Sequence, residues 1–227
     1  MTGIIPCRTS ILPPEELQVA ACRAFNLEVT PEAIRGGLSA ADQFFYEENA
    51  RSKVEKRPHE EQLEVYSRYE GMILEKAGIE APKELALAIM MKLRELGKGM
   101  TFVLFDDALP TLSKLKGRGL GLGLISNIDR DMVPLCHDLG LAPYLDCVIT
   151  SQEAGAEKPH PPIFLAALRR VGVEAGEAMY VGDQYNIDVV GARGSGLKAL
   201  LIDRHDLFPE VTDCPRIRSL AEVEQHL

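Results

Sequence analysis

The hydrophobic pattern of the chain changes once, at Gly97-Lys98-Gly99. Before this point, from about Glu15 to Leu96, apolar residues recur at the three- and four-residue spacing of amphipathic helices. After it, short apolar runs alternate with helical segments, which is the pattern of a parallel β-sheet with crossover helices. The sequence therefore predicts a small all-helical domain, a hinge, and then a doubly wound α/β domain.

The individual elements follow from the apolar runs and from their glycine and proline boundaries. We predict strands over residues 102–105, 120–125, 147–150, 178–181 and 199–202. We predict helices over residues 108–116, 130–139, 161–171, 189–193 and 220–227. In the first domain, Thr30 followed by Pro31 predicts a helix N-cap.

Composition limits the partners and the compartment. The net charge of −9 argues against nucleic acid as a partner. The five cysteines are odd in number and form no Cys-x-x-Cys pair, so we expect reduced thiols and a cytoplasmic protein. Because no apolar run approaches the ~18 residues of a membrane span and no signal-peptide pattern opens the chain, we expect no membrane association.

One stretch carries a pair of acids at a strand end. The apolar run 178–181 leads into Gly182 and Asp183, and Asp188 follows five residues later. Ligands bind at the carboxyl ends of strands in open α/β sheets, and two close carboxylates repel each other unless a cation or proton intervenes. Mg²⁺ prefers oxygen ligands, so Asp183 and Asp188 are candidate metal residues. Both are equally ordinary as capping residues of a surface turn.

Polar residues follow two further predicted strands. Ser126 and Asn127 come after one of them, and Lys158 comes after the next. Because parallel strands end at the same edge of a sheet, these side chains are expected to converge with the acid pair. A hydroxyl, an ammonium and a carboxylate-bound cation suit a phosphoryl group. Taken singly, Ser126 also reads as an N-cap, Asn127 as a turn residue and Lys158 as a surface lysine.

Three stretches resemble conserved motifs of the haloacid dehalogenase superfamily. Residues 123–127, Gly-Leu-Ile-Ser-Asn, are similar to its second motif. Residues 157–164, Glu-Lys-Pro-His-Pro-Pro-Ile-Phe, are similar to the third, and residues 181–192, Val-Gly-Asp-Gln-Tyr-Asn-Ile-Asp-Val-Val-Gly-Ala, to the fourth. The resemblance covers about residues 100–205.

The resemblance implies a Rossmann-like core with an inserted all-helical cap domain. It implies three segments: residues 1–14 as a degenerate N-terminal strand of the core, 15–97 as the cap, and 98–227 as the core. By the same resemblance, Ser126 and Lys158 hold phosphoryl oxygens, Asp183 binds Mg²⁺ directly and Asp188 acts indirectly. The Gly-Asp-x₄-Asp form favours the phosphatase branch over the dehalogenases, which use no metal.

The chain departs from the family at its first motif. That motif, Asp-x-Asp-x-Thr, supplies the nucleophile and lies before the cap, but the first aspartate in this sequence is Asp42. If residues 4–5 are the remnant of the strand, Pro6 stands at the nucleophile position and Arg8 at the acid/base position. We therefore expect residues 1–12 to be irregular, whether they are native or an altered start.

A second acid pair, Asp106-Asp107, follows the apolar run 102–105 but lies after the cap instead of before it. We interpret Asp107 as the N-cap of the following helix. Two hypotheses about function result. The chain is a Mg²⁺-dependent phosphohydrolase of a small phosphate ester, or it is a non-catalytic relative that binds phosphate or a protein partner. The sequence identifies neither the substrate nor the oligomeric state.

Overall fold

The computed structural model describes residues 7–9, 14–98, 102–128 and 130–227. It divides into two compact units. One is Thr9–Phe102, and the other is Val103–Leu227 together with the described part of Met1–Arg8. The assignment of residues 15–97 to a cap and 98–227 to a core stays a prediction.

The first unit is helical throughout its described length. Its elements are α1 (Pro14–Arg23), α2 (Pro31–Arg51), a 3₁₀ turn (Val54–Lys56), α3 (His59–Lys76) and α4 (Lys83–Leu96). Thr30 caps α2 as predicted, since its hydroxyl accepts a hydrogen bond from the backbone N–H of Ala33 at 3.3 Å.

The core of the helical unit contains a buried carboxyl group. Glu70 of α3 is fully buried, and one of its oxygens accepts a hydrogen bond from the amide of Gln18 on α1. Its other oxygen has no hydrogen-bond partner within the described part of the chain. Burial raises the pKa of Glu70 to about 7, although the hydrogen bond from Gln18 opposes the shift.

Glu70 should make the stability of the helical unit depend on pH. Below about 4.5, the ordinary pKa of this group, folded and unfolded chains are both protonated and the full stability is present. Between about 4.5 and 7 the unfolded chain ionises this carboxyl while the folded protein keeps it protonated, so stability is lost across that range, and the loss is complete once the pH has risen through about 7. We expect the difference in unfolding free energy between wild type and Glu70→Gln to shift by on the order of 2 kcal/mol from pH 5 to pH 8.

Urea unfolding followed by helical circular dichroism measures this difference. Glu75→Gln, an exposed position on the same helix, is the matched control and should track wild type at every pH. Parallel pH curves for wild type and Glu70→Gln would show that Glu70 does not titrate as described.

The second unit has α/β architecture. Its strands, counted along the chain, are β1 (Cys7–Thr9), β2 (Phe102–Leu104), β3 (Gly123–Ser126), β4 (Cys147–Thr150), β5 (Met179–Gly182), β6 (Lys198–Ile202) and β7 (Arg216–Ile217), of which β1 and β2 lie where the two units divide. Its helices are α5 (Ala108–Gly117), α6 (Val133–Asp138), α7 (Ser151–Ala154), α8 (Pro161–Val171) and α9 (Val190–Gly194). A π-helical turn (Tyr185–Val189) and 3₁₀ turns (Ala142–Tyr144, Ala175–Glu177, Leu220–His226) complete it.

The elements predicted from the sequence are present, with ends displaced by a few residues. The last one, predicted as an α-helix, is a 3₁₀ helix. The sequence analysis missed β7 and the single-turn helix α7 because each is too short to show a period.

The strands form two parallel groups. In one, β3 pairs with β4; in the other, β6 lies between β5 and β7 and pairs with both. Strand β1 pairs with β2. Strand β5 is buried at every residue, as its continuous apolar sequence predicts. Its residues alternate between two cores: Tyr180 packs with Phe164 of α8, and Met179 and Val181 pack with Val223 near the C-terminus. This is a Rossmann-like α/β arrangement.

Asp107 differs from its predicted role. It stands at the N-cap position of α5, but its side chain makes no capping hydrogen bond. Its carboxylate accepts two hydrogen bonds from Arg204 at 2.9 Å, one from the hydroxyl of Ser219 at 2.7 Å and one from the N–H of Leu220 at 2.8 Å. Burial opposes ionisation, but these donors outweigh it and lower the pKa of Asp107. The predicted N-cap position is confirmed, but the side chain does not cap the helix because donors from Arg204, Ser219 and Leu220 occupy the carboxylate.

The start of the chain is only partly described. Cys7–Thr9 is a strand, so the expectation of irregular backbone is wrong for these three residues, and the rest of residues 1–12 lie outside the described part. The four cysteines whose side chains are described, Cys22, Cys136, Cys147 and Cys214, are reduced and buried. Among the described residues, no helix combines the length and apolar character needed to cross a bilayer.

Candidate active site

The candidate site is a chain of polar contacts between the ends of β3 and β5. Asn127, just after β3, forms two hydrogen bonds with the backbone of Lys158. Its side-chain oxygen accepts from the Lys158 N–H at 2.7 Å, and its amide donates to the Lys158 carbonyl at 3.1 Å. These two bonds fix the segment that carries Lys158. A contact between Asn127 and substrate stays a prediction.

Lys158 forms a buried ion pair with Asp188. The ammonium lies 2.8 Å from Oδ1 of Asp188, and the two side chains are 10% and 1% exposed. Asp188 accepts two further hydrogen bonds: the hydroxyl of Tyr180 donates to Oδ1 at 3.1 Å, and the backbone N–H of Gln184 donates to Oδ2 at 3.0 Å. Such saturation is what makes a buried ion pair tolerable, because each desolvated oxygen keeps a donor.

Two glycines allow this close arrangement. At Gly182 a Cβ atom would lie 2.3 Å from Cβ of Asp188, and at Gly191 it would lie 2.7 Å from Cα of Pro159. Any side chain at Gly182 would displace Asp188, and any side chain at Gly191 would push away the segment that holds Lys158. The π-helical turn Tyr185–Val189 then brings Asp188 back over the end of β5.

Ser126 and Asp183 adjoin the two ends of this chain of contacts. Ser126 is half-buried, and its Oγ accepts from the N–H of Ile128 at 3.3 Å, which is a local turn and not a helix cap. Asp183 is exposed and lines a pocket of about 100 Å³ whose other walls include Phe105, His205 and Phe208. The polar contacts thus connect Asn127, Lys158 and Asp188, and Ser126 and Asp183 are adjacent in sequence to residues that take part in these contacts.

The donor set decides how a metal could be held. Both oxygens of Asp188 accept from protein donors, and an indirect part for Asp188 in metal binding stays a prediction. Among the described residues, no group of three or more His, Cys, Asp or Glu is placed to hold a metal ion. Mg²⁺ is often held by one or two carboxylates with substrate phosphate and water as the remaining ligands. Asp183 fits that mode, and a cage made of protein groups alone does not.

Sequence reasoning missed Tyr180. It lies within an apolar strand, where a tyrosine reads as a core residue. The signal available was its position two residues before Gly182, which places it one pleat from the strand end on the same face as Gly182.

Comparison with known proteins agrees with this geometry. Residues 25–196, well over half of the chain, match the family model described as haloacid dehalogenase-like hydrolase. The chain belongs to this family. All three motifs named in the sequence analysis fall within the matched residues.

Individual relatives extend the comparison. The chain is 36% identical over 126 residues to the human haloacid dehalogenase-like hydrolase domain-containing protein 3, covering 56% of this chain and 50% of that protein. It is 36% identical over 155 residues to the phosphoserine phosphatase of Thermus thermophilus, covering 66% of this chain and 60% of that protein. The chain thus spans about half the length of the curated relatives it matches first.

A solved structure shows the same fold. A HAD phosphatase from Thermococcus onnurineus superposes with a TM-score of 0.56 and 23% identity, over 99% of this chain and 95% of that one. At this identity the match establishes the fold only.

The Lys158–Asp188 pair should be strongly coupled to stability. Asp188→Asn removes the countercharge of a buried ammonium and places amide hydrogens against the N–H of Gln184. We expect the free energy of unfolding to fall by about 2–4 kcal/mol, measured by urea denaturation. Glu153→Gln, which breaks the exposed pair with Arg170, is the control and should cost less than about 0.5 kcal/mol. Equal losses of unfolding free energy in the two variants would show that the Lys158–Asp188 pair stabilises the fold no more than an exposed ion pair does.

Proposed function

We propose that this chain is a Mg²⁺-dependent phosphohydrolase acting on a small phosphorylated substrate. The observation that carries the proposal is the ammonium of Lys158, which is held by Asp188 and tied through its backbone to Asn127. A fixed, largely desolvated cation suits a phosphoryl group, whose negative charge is spread over several oxygens. In this proposal Ser126 and Lys158 contact phosphoryl oxygens, with Asn127 beside them.

Asp183 would hold the metal ion. Its carboxylate is exposed at the end of β5, where the phosphoryl group and water would supply the other ligands. The bound cation would neutralise charge on the phosphoryl oxygens. Asp188 would act through Lys158, since its own oxygens are occupied.

The name of one relative supports the proposed class of substrate. The Thermus thermophilus relative is named a phosphoserine phosphatase, which favours a small phosphorylated metabolite here. The helical unit would serve as the cap that selects it. The reduced cysteines favour a cytoplasmic setting, and the net charge of −9 disfavours nucleic acid.

A second candidate function rests on one observation. The first aspartate in the sequence is Asp42, on α2 of the helical unit, so the family's Asp-x-Asp-x-Thr motif has no match before that unit. A protein without that nucleophile would bind phosphate or a partner and leave the ester intact. Loss of a covalent nucleophile elsewhere costs on the order of 10⁶-fold in rate.

Hydrolysis and binding assays separate the two candidates. We expect wild type to release phosphate from p-nitrophenyl phosphate and from a panel of phosphate esters only when Mg²⁺ is added. Asp183→Asn and Ser126→Ala should each lower the rate by about 10²–10³-fold. Glu153→Gln, an exposed position outside the three motifs whose carboxylate pairs with Arg170, should match wild type.

Calorimetry with inorganic phosphate and Mg²⁺ completes the test. Binding without turnover above the Asp183→Asn background would overturn the hydrolase and establish the binding protein. Failure of wild type to bind phosphate would overturn both.

A further inference from the structure

Tyr180 touches both members of the buried ion pair. It is fully buried in the middle of β5, and its hydroxyl donates to Oδ1 of Asp188, the same oxygen that accepts from Lys158. Its ring centroid lies 5.9 Å from the Lys158 ammonium. The ring and the hydroxyl therefore act on one ion pair from a single rigid side chain.

The orientation of the ring is set from a second element. Phe164 of α8 meets it edge to face, with centroids 5.2 Å apart and an interplanar angle of 76°. Helix α8 begins at Pro161, three residues after Lys158. The segment that carries the ammonium and the helix that orients the ring are thus continuous.

We propose that Tyr180 is a positioning residue that holds the Lys158 ammonium in the orientation needed to receive a phosphoryl group. This proposal rests on the proposed function of the site. The hydroxyl fixes the rotation of the Asp188 carboxylate, because Oδ1 must face Tyr180 and Lys158 together while Oδ2 faces Gln184. The electron-rich ring face attracts the ammonium at the edge of the cation–π range.

A purely structural role makes a different prediction. A buried tyrosine hydroxyl needs an acceptor, and Asp188 would supply one without any consequence for ligand binding. In that case Tyr180→Phe would change stability and leave both the accessibility of Lys158 and phosphate affinity unchanged.

Tyr180→Phe removes one oxygen atom and keeps the ring. We expect inorganic phosphate to bind roughly 3–10-fold more weakly by calorimetry, from the loss of one hydrogen bond in the network. With an ester substrate, KM should rise in the same proportion. We also expect trinitrobenzenesulfonate to modify Lys158 several-fold faster, as followed by mass spectrometry of its peptide, because an ammonium that is only 10% exposed becomes less restrained.

Tyr144→Phe is the matched control. Tyr144 packs against the separate core cluster formed by α5, α6 and β3, so its loss should change neither phosphate binding nor Lys158 labelling. If Tyr180→Phe does not fold, Phe164→Leu frees the ring while keeping the hydroxyl and should also accelerate Lys158 labelling.

The outcomes are distinct. If wild type binds phosphate and Tyr180→Phe binds it equally with unchanged Lys158 labelling, the positioning role is overturned and the proposed function stands. If wild type does not bind phosphate, the proposed function fails, and the labelling rates alone decide whether Tyr180 restrains Lys158. Weaker phosphate binding together with faster labelling, in Tyr180→Phe and not in Tyr144→Phe, supports the inference.

Discussion

The buried ion pair between Lys158 and Asp188 is the constraint on which the site depends. Desolvating an ammonium and a carboxylate costs several kcal/mol per ion, and their attraction compensates only with good geometry and additional donors. The chain supplies that geometry from separate segments: hydrogen bonds between the Asn127 side chain and the backbone of Lys158, a backbone donor at Gln184, and room made by Gly182 and Gly191. Gly182 and Gly191 are thus explained by sterics, because a side chain at either position would occupy space taken by Asp188 or by the segment that carries Lys158.

The same pair joins two parts of the sheet. No backbone pairing between β3 and β5 occurs among the described residues; β3 pairs with β4, and β5 with β6. The polar chain that runs from Asn127 through Lys158 to Asp188 crosses between them, and α8 packs against both groups in one apolar cluster. Among the described residues, side chains of both strand groups therefore share one core with α8.

Much of this fold could be predicted because the spacing of buried apolar residues in the sequence reflects the helix or strand that they belong to. The continuous apolar run at β5 predicts a strand covered on both faces, and both faces are covered. Local rules could not predict Asp107, whose partners Arg204 and Ser219 lie about a hundred residues further along the chain. The same holds for Tyr180, where the sequence shows an apolar environment and only the fold shows the carboxylate beside the hydroxyl.

Four of the aspartates that lie at or just after strands of this unit show why sequence alone does not assign a site. Asp107 anchors the C-terminal segment, and Asp203 accepts from the N–H groups of Leu207 and Phe208 within its own loop. Asp188 is saturated by its three donors. In sequence, each of the four stands at the end of an apolar run or in the turn that follows one. Exposure separates them: Asp107 is half-buried and Asp188 and Asp203 are buried, whereas Asp183 is exposed at a strand end beside a pocket. A carboxylate that reaches solvent is one that a cation with its own phosphate and water ligands can approach. Asp106, just after β2, is exposed as well, so accessibility narrows the candidates and the motif at residues 181–192 is what favours Asp183 as the proposed metal residue.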